Sequence, residues 1–238
     1  MLLAELTEKL AGLEIAGDAM DFQELALAIA QVAQGEPDQA DPDEFLRDIC
    51  MSIGFEIRHA LEGERGFSYV ENGVTEEIRK ARKELFPLKN VYLRFRVDII
   101  TAAFVVAALD RLGSACDHRN PYTLFYAARR KYDALVMEAL RQELSEKEYR
   151  RVELAMDKFQ RRYTKDYVFQ YLEEQTAKYL RMDAEKRKKA LAGTLVRVLE
   201  MGDAYEGYRT DIRAAARQMG CDVSDVLPIV EYPDDFVW

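Results

Sequence analysis

The sequence predicts an α+β protein, mainly α, in which a small N-terminal β-sheet with its helices is followed by a C-terminal helical array. Three observations carry that expectation. Apolar residues alternate with polar ones near residues 12 to 16, 67 to 71 and 91 to 97, which is the period of a strand. Between and beyond these stretches apolar residues recur at spacings of three and four, the period of a helix. After Asn120-Pro121 the next proline is Pro228 and glycine is sparse, so helix formers dominate the second half. That change of character divides the chain into an α+β region, 1–119, and a helical region, 120–238, expected to pack on the first.

The 238 residues are 49% hydrophobic, 32% charged and 11% aromatic. Such a balance fills a core without covalent staples and excludes disorder as the dominant state. Acids outnumber bases 43 to 34, a formal charge of −9, so the surface as a whole repels nucleic acid and anionic lipid. The excess lies in front: residues 1–120 hold 22 acids and 13 bases, and the remainder holds 21 of each. Cys50, Cys116 and Cys221 are an odd, scattered set without C-x-x-C spacing. This argues against a disulfide framework or thiolate zinc site and for a reducing compartment, the cytoplasm. Met1-Leu2-Leu3-Ala4-Glu5 has no basic stretch ahead of its apolar residues, which a secretory signal needs. The longest uncharged apolar run, Ile99 to Leu109, has 11 residues and reads as a buried helix, since a membrane span takes about 20.

Taken in order, Leu13-Glu14-Ile15-Ala16 alternates and ends at Gly17-Asp18, as a short strand or turn edge does. Asp21 is the expected cap of a helix striped by Phe22, Leu25, Ala26, Ile29 and Val32 and stopped by Gly35. The acidic, proline-bearing stretch 35–42 reads as a linker or exposed loop. From Pro42 a second helix carries Leu46, Ile49, Cys50, Ile53, Ile57 and Ala60 on one face. Met51 and Phe55 point the other way, which predicts that both sides of this helix touch protein. Phe67, Tyr69 and Val70 between glycines suit a strand, and Thr75 with Ile78 to Leu85 suits a helix broken by Pro87.

Val91, Leu93, Phe95 and Val97 then alternate with Tyr92, Arg94, Arg96 and Asp98, which predicts a strand, with Asp98 capping the helix after it. The rival is one helix from Asn90 to Leu112, because Tyr92, Phe95, Ile99, Ala102 and Val106 also fit helical spacing. In the back half, Ser145-Glu146-Lys147-Glu148 is a capping box and Asp183 caps a helix that runs to Gly202. A last helix runs from near Tyr205 to Met219 and ends at Gly220.

The densest polar cluster is the segment Glu56 to Arg65, at the end of the second helix. Glu56 and His59 are three apart, hence helical neighbours, and a carboxylate beside an imidazole suits general acid/base work. The bland reading of the same pair is a helix end tied down by ion pairs. A di-iron site is excluded, since it needs a second Glu-x-x-His and the only other histidine, His118, follows Ala115-Cys116-Asp117. No set of three or four ligands has metal spacing, so no metal is expected, and no cofactor motif is present. Cys116 to Pro121 reads as an exposed turn with Asn120 capping the next helix.

Arg94 and Arg96 share one strand face; they suit a carboxylate or phosphate ligand, or internal pairing with acids such as Glu56 and Glu62, which the acid excess favours. The candidate site is therefore His59 and Glu56 as catalytic residues with Arg58, Arg65 and Arg96 as ligand-binding residues. The back half carries the basic runs Arg129-Arg130-Lys131, Arg150-Arg151, Arg161-Arg162 and Lys186 to Lys189, interleaved with Tyr163, Tyr167, Tyr171 and Tyr179. Such a pattern suits a nucleic-acid groove, but alternating acids make solvated helix faces the stronger reading.

The front half, residues 11 to 112, resembles an uncharacterised bacterial family of unknown function. The resemblance rests on Gly17-Asp18-Ala19-Met20-Asp21-Phe22-Gln23-Glu24-Leu25, on Arg58-His59-Ala60-Leu61-Glu62-Gly63-Glu64-Arg65, and on the strand-then-helix unit from Val91 to Leu112. It implies no activity, and it marks Arg58, His59 and Arg65 for attention. The functional expectation is a soluble cytoplasmic interaction or regulatory protein, self-associating or bound to a protein partner, with no membrane role and nucleic acid disfavoured. The alternatives are a small-molecule hydrolase or transferase using Glu56, His59 and the arginines, and a nucleic-acid binder using the C-terminal basic helices. Whether the chain is an enzyme stays open on the sequence.

Overall fold

Four strands form one antiparallel sheet in the computed structural model, which describes residues 1–34, 43–82, 87–115, 120, 122–163, 167–226, 229–233 and 236–238. They are β1 (Leu3–Leu6), β2 (Gly12–Gly17), β3 (Phe67–Glu71) and β4 (Lys89–Asp98), in the order β1-β2-β4-β3. The three expected strands are β2, β3 and β4. β1 is an addition: Leu-Ala-Glu-Leu consists of helix formers without alternation, and it is extended because a tight turn lays it beside β2. In that turn Thr7 N donates to Gly12 O at 2.9 Å, Thr7 Oγ1 accepts from Gly12 N at 3.0 Å, and Leu10 takes a left-handed φ of 53°.

β4 resolves the strand-versus-helix ambiguity. Its residues pair with β2 on one side and β3 on the other, so the alternation buries Phe95 and Val97 and sends Arg94 and Arg96 to the opposite face. The helix starts only at Ile99, where Asp98 Oδ1 accepts from Thr101 N at 2.7 Å, as expected of a cap.

The described helices are α1 (Ala19–Ala33), α2 (Glu44–Leu61), α3 (Glu76–Arg82), α4 (Ile99–Ala115), α5 (Leu124–Glu143), α6 (Glu146–Arg162), α7 (Val168–Leu180), α8 (Ala184–Glu200) and α9 (Asp203–Met219). The cap of α1 is Asp18 rather than Asp21. Asp18 Oδ1 accepts from Asp21 N at 2.9 Å while Asp21 Oδ2 accepts from Asp18 N at 3.2 Å, a reciprocal box that moves the start three residues forward. Ser145 and Asp183 cap α6 and α8, and Gly220 ends α9 with φ 67°, as expected. The helix expected over 78–85 is described only as α3, and the linker 35–42 lies outside the described residues; of the turn 116–121 only Asn120 is described, and α5 is capped not by Asn120 but by Thr123, whose Oγ1 accepts from Tyr126 N at 3.2 Å.

α1 packs on the sheet through Phe22, edge-on to Phe95 with ring centroids 5.5 Å apart. α4 is apolar around nearly its whole circumference because it is the central helix, touching α1 and α2 as well as α5, α6, α7 and α8. One cluster of buried side chains runs through all of these elements, from Leu2 to Tyr205. α2 meets expectation in part: its Leu46, Cys50, Ile53 and Ile57 side is core and Met51 is half-buried against it, whereas Phe55 is 49% exposed and carries the Arg58 guanidinium over its ring at 5.2 Å. An aromatic on the open side is covered by a neighbouring cation instead of by protein.

Two ties join the helical array to the β1–β2 turn. The buried Tyr179 hydroxyl donates to Leu10 O at 2.7 Å, and Arg187, 3% exposed, donates to Lys9 O at 3.1 Å and to Leu180 O at 2.6 Å. The basic runs of the back half thus divide: Arg129 and Arg187 face inward, Lys131 is half-buried on Asp21, and Arg130, Lys186, Lys188 and Lys189 are exposed. No described helix is long and apolar enough to cross a membrane.

Candidate functional site

α2 ends at Leu61, and Gly63, with a left-handed φ of 80°, turns the chain back along the helix it has just left. Glu64 N donates to His59 O at 2.9 Å, which returns residues 64 and 65 to the last turns of α2. Arg65 then grips Glu56 with two parallel bonds, Nε to Oε2 at 2.8 Å and Nη2 to Oε1 at 2.9 Å. His59 Nδ1 meets Glu64 Oε2 at 2.6 Å, and Arg58 reaches Glu62 at 4.0 Å. The sequence pair Glu56–His59 is therefore not a pair in space: each has its own partner from the returning turn. The same turn brings donor atoms of His59, Glu62 and Glu64 within 4.8 Å of one another, a set of three that linear spacing did not reveal. Among the described residues this set is of a kind that could hold a metal ion, and two of the three are exposed.

Beside this turn lies a cavity of about 620 Å³ lined by Glu56 and Arg65 together with Glu14, Arg94, Arg96 and Trp238. Arg94 and Arg96 do not pair with Glu56 or Glu62. Cross-strand register sets Glu14 of β2 opposite Arg96, and Glu14 takes both arginines: Arg94 Nη1 to Oε1 at 2.6 Å and Arg96 Nε to Oε2 at 3.0 Å. Arg94 Nε also donates to Ser68 Oγ at 3.1 Å. Trp238 sits on this face at Gly12, where an added Cβ would fall 2.6 Å from the indole and 2.3 Å from Val97 O, so only glycine admits the ring. Of the expected residues, Glu56, Arg65 and Arg96 converge on the cavity; His59 and Arg58 do not line it.

The cavity continues into the outer edge of the sheet, since Phe67, the first residue of β3, also lines it. β3 is one of the two edge strands, and Phe67 and Tyr69 stand on one of its faces 60% and 65% exposed, ring centroids 5.7 Å apart. Val91, across from Tyr69 on β4, is 48% exposed. The bond from Arg94 N to Gly66 O at 2.8 Å fixes which residues of β3 turn their backbone toward β4. By the alternation of an antiparallel ladder they are Gly66, Ser68 and Val70. The N–H and C=O groups of Phe67, Tyr69 and Glu71 face away from the sheet. None of this edge surface was marked by the sequence reading.

The architecture and this edge define a mainly helical α+β protein with a short antiparallel sheet whose β3 strand, among the described residues, has one unpaired, aromatic-bearing edge beside a charged cavity. The chain belongs to the family described as a domain of unknown function (DUF6904), whose model matches residues 2–238 and so extends well past the front-half likeness. No curated protein and no solved structure matches it.

Proposed function

We propose that this protein is an interaction protein that associates with a second copy of itself through the free edge of β3. The observation that carries the reading is the outward alternation of Phe67, Tyr69 and Glu71. Two such edges laid antiparallel about Tyr69 bond Phe67 to Glu71 and Tyr69 to Tyr69, so the strand complements itself about a two-fold axis. The exposed rings of the two copies meet at the centre and the charges of the cavity and of the Lys89–Glu71 pair form the rim, the usual anatomy of an interface. β3 has no proline or inward-pointing charge to blunt pairing. Cys50 and Cys221 are free thiols, which suits a reducing compartment such as the cytoplasm.

The rival, a hydrolase or transferase working through Glu56 and His59, requires both groups at one cavity, and His59 is instead engaged by Glu64 outside it. A nucleic-acid groove requires exposed rings, and Tyr163, Tyr171 and Tyr179 are buried.

Sedimentation velocity over micromolar concentrations tests the proposal. The wild-type chain is expected to sediment as a dimer. Tyr69→Pro, which deletes an N–H that does not bond β4, and Tyr69→Lys, which places a charge on the edge, are both expected to be folded monomers whose melting midpoint matches that of wild type diluted below its dimerisation range. A monomeric wild type across that range, or a dimer that survives both substitutions, contradicts it.

A further inference from the structure

A second cavity, of about 720 Å³, opens where α4, α5 and α6 meet, far in sequence from the turn and edge described above. Its size falls in the range of small-ligand sites, about 300–1,000 Å³. Three of its lining residues are buried and form its floor: Val106, Ala107 and Asp133, the last only 3% exposed. Asp133 is incompletely satisfied there. Its Oδ2 accepts from Arg130 Nη1 at 3.2 Å, with Arg129 Nε 3.8 Å away, while its Oδ1 is buried with no hydrogen-bond partner among the described residues. A buried carboxylate oxygen without a donor is costly, and a donor brought into the cavity would relieve that cost.

The mouth is acidic as well. Glu153 and Asp157, both exposed, stand four apart on α6, one turn above the other, and neither has an ion pair among the described residues. The basic residues of the lining are already engaged, Arg150 by Glu146 at 2.9 Å and Arg130 by Asp133 and by Asp110 at 3.7 Å. Between floor and mouth the wall offers the flexible apolar side chains of Met137 and Met156. Carboxylates at two depths joined by methionines fit a chain of methylenes with a positive charge at each end.

We propose that this cavity binds a linear aliphatic polyamine, one ammonium on Asp133 at the floor, another between Glu153 and Asp157 at the mouth, and the methylenes against Met137 and Met156. The site requires Asp133 to be ionised. Burial pushes its carboxyl up to about 7, against the lowering pull of Arg129 and Arg130, with Asp110 of α4 adding to the rise. The other titratable groups near Asp133 are Cys50 of α2 and the adjacent Tyr132, both raised by burial and so uncharged, and α6 contributes Arg150, Glu153 and Asp157. Polyamine binding is therefore coupled to loss of the Asp133 proton and strengthens with pH through neutrality.

Isothermal titration of the full chain with spermidine at about pH 6 and about pH 8 tests this, since a carboxyl of pKa about 7 is ionised roughly tenfold more at the higher value. Wild-type affinity is expected to rise about tenfold between them, with proton release seen as a buffer-dependent heat. Asp133→Asn should bind weakly and equally at both values. Glu153→Gln with Asp157→Asn, changed at exposed positions, should weaken binding at both values and keep the pH dependence. Absence of binding at millimolar spermidine overturns the proposal. So does binding by Asp133→Asn as tight as wild type, which would mean general attraction of a polycation to an acidic chain; if that variant fails to fold, binding undiminished by the α6 pair does the same.

Discussion

Replacing Arg187 with Ala is expected to destabilise the protein by about 3–5 kcal/mol, the cost of removing a buried charged donor whose partners stay behind. Its guanidinium donates to the carbonyls of Leu180, Lys9 and Val237, at 2.6, 3.1 and 3.1 Å, and so joins α7, the β1–β2 turn and the C-terminal segment at one point. In that turn Leu10 sits at positive φ and its carbonyl is held by Tyr179. Chemical denaturation should show a large fall in midpoint for Arg187→Ala and a smaller one, about 1–2 kcal/mol, for Tyr179→Phe, which strands one carbonyl. Equal and negligible effects would mean that the array and the hairpin are not mechanically joined.

Arg129→Ala is expected to cost about 3–5 kcal/mol near neutral pH, and less in acid. The guanidinium, buried between α4 and α5, donates to Leu109 O at 3.1 Å, lies 3.7 Å from Asp110 and 3.8 Å from Asp133, and covers the Tyr126 ring at 5.1 Å. It also explains a glycine: a Cβ at Gly113 would fall 2.0 Å from Arg129 Nη1. The pH dependence follows from Asp133. Its pKa is raised from 3.8 to about 7, so the folded state holds a proton that the unfolded chain has already lost between those values. Stability from this group is full below the ordinary carboxylate range and is lost as pH rises through about 7. Arg129 lowers that pKa, and its removal moves the loss higher. The difference between wild type and Arg129→Ala should therefore widen from about pH 5 to about pH 8, and a constant or shrinking difference would contradict a role for Arg129 in holding the Asp133 charge.

Much of the fold was legible because its periodicities are local. Leu13 and Ile15, Phe67 and Tyr69, and Phe95 and Val97 announce β2, β3 and β4, and Asp98, Ser145, Asp183 and Gly220 mark helix ends where the structure has them. β1 escaped because its residues favour helix and only pairing makes them a strand. The Glu56–Arg65 grip was within reach, both residues lying in the segment singled out. Glu14 and Trp238 were not, since register and a distant segment bring them to the cavity. Asp133 was concealed by the basic run beside it. Arg129-Arg130 looked solvated, but Arg129 and Asp133 lie on the buried face of α5 with Tyr132 and Val136, and Gly113 leaves room for the Arg129 guanidinium. An Arg–Asp pair four apart on one helix and a glycine late in the most apolar helix were the available signals.

The edge pairing of β3 can be observed directly by amide hydrogen exchange at low and high protein concentration. Ser68 and Val70 turn their N–H groups toward β4 and should exchange slowly at every concentration. Phe67, Tyr69 and Glu71 should exchange fast in dilute solution and become protected as concentration rises, an alternation along five residues that a general loss of exposure would not produce. Fast exchange at Phe67, Tyr69 and Glu71 at all concentrations would contradict the self-associating edge.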